Sequence, residues 1–130
     1  MKALIALSAA TAPIVVVALT ISAPPATATP SPSLGAQAFA QCRACHTLTP
    51  GGKSVMGPNL NGLFGRKAGG LQGFAYSPAL KASGLVWDAR TLDAYLAAPT
   101  ARVPGTRMVI KVADSTRRAA LIAYLKAETK

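Results

Sequence analysis

Both cysteines and the only histidine of this 130-residue chain fall within five consecutive positions, Cys42-Arg43-Ala44-Cys45-His46. Four chemistries compete for such a cluster. Structural zinc takes four ligands from Cys and His, and this chain holds only three such residues. A thiol–disulfide exchange pair belongs at a helix N-terminus inside a strand–helix–strand frame. Here the pair closes a helical stretch in a chain with almost no strand alternation. A disulfide between Cys42 and Cys45 would close a loop too short to restrict the unfolded chain much, and two core-filling thiols would tend to oxidise in an exported protein. The fourth reading is covalent haem attachment, whose signature is C-x-x-C-H. Residues three apart on a helical turn share a face. Both thiols can then reach the two vinyl groups on one edge of a porphyrin, while the next residue directs its imidazole at the iron.

The rest of the chain suits a small exported domain. Lys2 precedes an apolar run from Ala3 to Ile21, and Ala26-Thr27-Ala28 offers a cleavage site, the order of a secretory signal over residues 1–28. The run is long enough to span a bilayer, so an uncleaved anchor is the alternative, although Ser8, Thr11 and Pro13 interrupt it. Residues 29–33 end the proline-broken spacer PPATATPSPS, and 34–130 form one domain. A domain of that length has a thin core of its own and gains from a bound group. Without Lys2 the chain carries 13 Lys and Arg against 4 Asp and Glu, a net +9. Such an excess calls for an acidic partner. Export argues against nucleic acid, so the acidic faces of proteins come first.

Helical punctuation recurs along the domain. Ser33 can cap a helix from Leu34 to about Arg43. The stretch HTLTPGGKSVMGPNLNGLFGRKAGGLQGFAYS is too rich in glycine for regular structure. Ser77-Pro78 begins a short helix that Gly84 ends. Asp88 caps another, with Trp87 and Leu92 as its hydrophobic staple, and that helix stops at Pro99. A last helix starts at Asp114 or Ser115 and presents Leu121, Ile122, Tyr124 and Leu125 as its apolar stripe. Loops this long are rare in a compact domain unless they serve a function; here they make sense wrapped around a bound group. Two methionines of the domain could complete an iron site, Met56 and Met108. Met56 sits in the loop that must cover the histidine side. Met108 lies in ARVPGTRMVIKV, where Pro104 and Gly105 make an irregular segment able to cross the opposite face, and it is the preferred candidate.

The stretches CRACH, GPNLNGLFGRKAG, GFAYS, LVWDARTLDAYL, PGTRM and LIAYLKAET follow one another from about Gly35 to the C-terminus. Together they resemble the class I c-type cytochromes, the short cytochromes c of mitochondria and bacteria. The resemblance implies an all-α cytochrome c fold, helices and long loops wrapped around one covalently bound haem. It implies thioether bonds from Cys42 and Cys45, and His46 and Met108 as axial ligands. The Pro58 carbonyl would accept the proton of the other His46 nitrogen. Arg66, Tyr76 and Trp87 would surround the haem propionates, and Tyr95 and Thr106 would lie near the methionine side. Gly35 and Phe39 would meet Leu121 and Tyr124 where the terminal helices cross. The sequence departs from many relatives at Arg107, usually lysine, at Leu80, often asparagine, and at Ile110, often aromatic.

With both axial positions filled there is no room for substrate, so the resemblance implies a soluble monohaem electron carrier rather than an enzyme. It would be a periplasmic monomer, touching the membrane only if residues 1–28 stay attached. Its partners would be acidic faces of membrane redox complexes: quinol–cytochrome c oxidoreductase, a terminal oxidase or a photosynthetic reaction centre. Arg43, Lys53, Lys81, Arg102, Arg107 and Lys111 flank the motifs nearest the haem and would ring its exposed edge. The competing functions are a haem peroxidase and a cytochrome subunit of a periplasmic dehydrogenase.

Overall fold

The structure, a computed structural model, describes residues 33–53 and 56–130. The signal segment 1–28 and all of the linker except Ser33 lie outside the described residues. Among the described residues five α-helices follow in order: α1 Leu34–Phe39, α2 Pro78–Ala82, α3 Ala89–Ala97, α4 Pro99–Arg102 and α5 Ser115–Glu128. Among the described residues no helix is long and apolar enough to cross a membrane.

Each longer helix starts where a short polar side chain satisfies an otherwise unpaired backbone N–H. Asp88 accepts from the Thr91 amide at 2.6 Å, and Asp114 accepts from the Arg117 amide at 2.6 Å. Ser33 and Ser77 do the same for α1 and α2, each at 3.2 Å. Gly84, at φ +68°, ends α2 in the left-handed conformation that suits glycine.

Two features depart from the sequence reading. The first helix stays α-helical only to Phe39 and tightens to a 3₁₀ turn over Ala40–Cys42, short of the expected Arg43. Beyond Ala98, Pro99 starts a new helix rather than merely ending α3. Proline at the first helical position costs no hydrogen bond, because that N–H would be unpaired anyway.

The core forms where α1 crosses α5 and α3 packs beside them. Gly35 makes the crossing possible, since a Cβ there would overlap the Ala120 carbonyl and the Tyr124 Cβ. The Phe39 and Tyr124 rings meet at a tilt across the same contact, 5.7 Å between centroids. Leu121 is fully buried, with Leu92, Tyr95, Leu96, Ile122 and Leu125 around it. The expected meeting of Gly35 and Phe39 with Tyr124 is therefore present, and Leu121 is buried in the same core. Around this core Cys42, Leu60, Phe64, Leu80, Leu85 and Met108 are only half covered.

A short antiparallel ladder joins the glycine-rich loop to the entry of α3. The Gly65 amide donates to the Trp87 carbonyl at 2.7 Å, the Trp87 amide to Arg66 at 3.0 Å, and the Ala68 amide to Leu85 at 2.8 Å. Too brief to show alternation in sequence, it fixes residues 65–68 against 85–87.

Candidate functional site

The Cys42–His46 segment is one tight turn. The amides of Cys45 and His46 both donate to the Cys42 carbonyl, at 3.1 and 2.9 Å. Cys42 and Cys45 are half-buried and unpaired. Burial pushes the Cys42 thiol up from its ordinary pKa, the neighbouring Cys45 adds to this, and Arg117 opposes both. A protonated thiol is the wrong state for disulfide exchange, which needs a readily formed thiolate. That argues against the exchange reading on electrostatic grounds.

His46 is held by the loop that follows it. Its Nδ1 donates to the Pro58 carbonyl at 2.8 Å, and since a carbonyl can only accept, Nδ1 carries the proton. Burial lowers the imidazole pKa, with the Pro58 contact working the other way, so the ring is neutral at neutral pH. Its Nε2 lone pair takes no hydrogen bond among the described residues. Gly57 lies close against the ring: a Cβ there would stand 2.5 Å from Cε1 and 2.7 Å from Nδ1. The loop is braced by Asn59, whose Nδ2 donates to the carbonyls of Thr49 at 2.8 Å and Gly52 at 2.6 Å. Its Oδ1 accepts from the Asn61 amide at 2.7 Å. The sequence reading singled out neither Gly57 nor Asn59, although both stand in GPNL beside Pro58.

On the other side, Met108 is half-buried against the core, whereas Met56 is 74% exposed, which favours Met108 as the thioether aimed inward. Two residues before Met108, the Thr106 hydroxyl lies 2.6 Å from the buried Tyr95 hydroxyl and accepts from the Met108 amide at 3.4 Å. Arg107 donates to the Ala75 carbonyl at 3.0 Å, tying this loop to the glycine-rich one. Tyr95 and Thr106 thus stand together next to Met108, and burial, against the pull of the Thr106 hydroxyl, raises the Tyr95 pKa.

The ladder brings Arg66 and Trp87 together, and Tyr76 is near enough for Arg66 to pull its pKa down against the larger upward push of burial. Trp87 is buried with its ring 5.1 Å from that of Tyr95. Arg66 is busier than the sequence reading foresaw, donating to the carbonyls of Asn61 at 3.1 Å and Asn59 at 2.9 Å. A guanidinium has five N–H donors, so three remain for a carboxylate.

These residues fit a covalently held haem. Two unpaired, half-buried thiols are three apart on one turn, a neutral imidazole has Nε2 free and its ring wedged by glycine and proline, and a half-buried thioether stands on a separate loop.

No protein-family model matches the chain. Individual proteins do. A cytochrome c2 from Blastochloris viridis is 46% identical over 109 residues, covering 83% of this chain and 85% of that protein. A cytochrome c-550 from Ancylobacter novellus is 46% identical over 99 residues, covering 73% of this chain and 92% of the relative. Among solved structures, cytochrome cH from Methylobacterium extorquens aligns with a TM-score of 0.67 at 47% identity, over 72% of this chain and 95% of that one. The chain belongs to the class I c-type cytochromes, and is a single-electron carrier with one covalent haem c, not a peroxidase or other enzyme.

Proposed function

We propose that the mature domain shuttles electrons through the bacterial periplasm, after removal of residues 1–28, between acidic faces of membrane redox complexes. Cys42 and Cys45 would hold the haem covalently, His46 and Met108 would ligate its iron, and Arg66, Tyr76 and Trp87 would supply donors for its carboxylates. When bound, haem supplies a one-electron Fe(II)/Fe(III) couple. The chain does the rest. Pro58 fixes the imidazole plane and makes Nε2 a better donor, while Gly57 permits the close approach. Met108 offers a soft thioether that favours the ferrous state, and the Tyr95–Thr106 pair holds the backbone that carries it. Both ligands are held before any electron arrives, so oxidation and reduction require little rearrangement.

The observation that carries the partner assignment is the distribution of charge. Arg43, Lys53, Lys81, Arg102, Arg107 and Lys111 are all exposed. The four acids are Asp88, Asp93, Asp114 and Glu128, and none lies in 33–87 or 94–113, the segments that carry both ligands. Acid-free segments rimmed with cations attract an acidic face and steer its approach. The candidate partners are quinol–cytochrome c oxidoreductase on the reducing side and a terminal oxidase or photosynthetic reaction centre on the other. The test is the second-order rate of electron exchange with membranes holding such a complex, measured against ionic strength. Exposed charges are screened over about 8 Å at physiological salt, so the rate falls as salt rises beyond that. A rate indifferent to salt overturns the docking.

A further inference from the structure

We propose that Asp93 and Arg118 are positioning residues that hold the methionine-bearing loop closed from its C-terminal side; this rests on the reading of Met108 as an axial ligand.

The loop is restrained unevenly. On its N-terminal side the buried Tyr95–Thr106 contact stands two residues from Met108. On the other side Val109 and Ile110 are 67% and 51% exposed, so packing does not hold them. The first firm restraint is at Val112, whose amide donates to the Leu96 carbonyl at 2.8 Å. Arg118 completes it, with one terminal nitrogen donating to the carbonyls of Val112 at 2.9 Å and Ala113 at 3.0 Å. Its Nε and second terminal nitrogen meet the two Asp93 oxygens at 2.6 and 3.4 Å.

Geometry makes the acid matter. A guanidinium is planar and rigid, so fixing the Nε edge on a carboxylate aims the remaining terminal nitrogen at the two carbonyls. The Arg118 side chain is 11% exposed and that of Asp93 45%, so solvent screens the pair partly. Asp88 and Asp114 cap helices, whereas Asp93 makes the one ion pair among the described residues. Asp93, Tyr95 and Leu96 all belong to α3, so a single helix restrains the loop at both ends.

The test uses ferric holoprotein. The rate at which imidazole replaces Met108 reports opening of the loop, and a denaturation curve reports global stability. Wild type, Asp93→Asn, Asp93→Glu and Arg118→Lys are compared with Tyr124→Leu, a change at the terminal-helix crossing away from the clamp. Each is measured at the denaturant concentration that leaves equal global stability. Asp93→Asn and Arg118→Lys should admit imidazole roughly fivefold faster than Tyr124→Leu, the scale of a partly screened ion pair. Asp93→Glu should recover most of the wild-type rate. Equal rates at equal stability overturn the clamp and leave the Met108 assignment standing. A wild type without the sulfur-to-iron charge-transfer band in its ferric spectrum overturns the Met108 assignment, and the clamp with it.

Discussion

Replacing Gly57 with alanine adds one methyl group where the structure has least room. The new Cβ would stand 2.5 Å from Cε1 of His46, 2.7 Å from Nδ1 and 2.8 Å from the Cys45 carbonyl oxygen, where ordinary contact begins at 3.4 Å. None of these atoms is the far end of a flexible side chain. The imidazole is tethered by its bond to Pro58, and the Cys45 carbonyl is backbone in the tight turn. Either the ring or the 56–58 loop must retreat by close to an ångström, enough to break the 2.8 Å contact between Nδ1 and the Pro58 carbonyl. Overpacking of this kind costs about 1–3 kcal/mol, and the lost hydrogen bond about 1 kcal/mol more. Gly57→Ala should therefore lower the unfolding free energy of the holoprotein by about 2–4 kcal/mol, measured by denaturant titration. The reduction potential should move as well, because a ring without its carbonyl partner is a weaker ligand. A Gly57→Ala protein with wild-type stability and potential would refute the idea that this loop clamps the histidine.

Tyr95→Phe leaves the buried Thr106 hydroxyl without its 2.6 Å partner and should cost about 1–2 kcal/mol in the same titration; no change would mean that Thr106 is satisfied otherwise. Gly35→Ala should lower the thermal midpoint, since a Cβ at 35 would overlap both the Ala120 carbonyl and the Tyr124 Cβ; a wild-type midpoint would show that the helices separate easily. The Asp88 carboxyl is held below its ordinary value near 3.8, first by the Thr91 amide and then by the Thr91 side chain. Its folded-state pKa is depressed, so the contribution is complete above the ordinary value and is lost as pH falls through the depressed one. The stability gap between wild type and Asp88→Asn should narrow over that acid range and hold steady above it.

Much of this architecture could be read from local signals. Ser33, Ser77-Pro78, Asp88 and Asp114 each mark a helix start, because a cap acts on amides two or three residues away. His46 and Pro58 belong to short motifs, and the bond expected between them is present. Elsewhere the determinants are not local. Tightening of the first helix into a 3₁₀ turn over Ala40–Cys42 depends on how that turn meets the core. Pro99 reads equally as an end or a beginning. The ladder between 65–68 and 85–87 is three hydrogen bonds long, too short for a period to emerge. Arg66 carries no mark in sequence of its bonds to the carbonyls of Asn59 and Asn61. Asp93 and Arg118 are 25 residues apart, on different helices, and only the packing of α3 against α5 brings them together.

The most direct test of the account is the absorption spectrum of protein matured in a bacterial periplasm, recorded oxidised and reduced, for wild type and Met108→Ala. Pigment should stay with the polypeptide under denaturing extraction, as two thioether bonds to Cys42 and Cys45 require. Native wild-type protein should be low-spin in both oxidation states, with the sulfur-to-iron band in the ferric form and its loss in Met108→Ala. Extractable pigment, a colourless protein, or a ferric spectrum unchanged by the substitution would contradict the account at its centre.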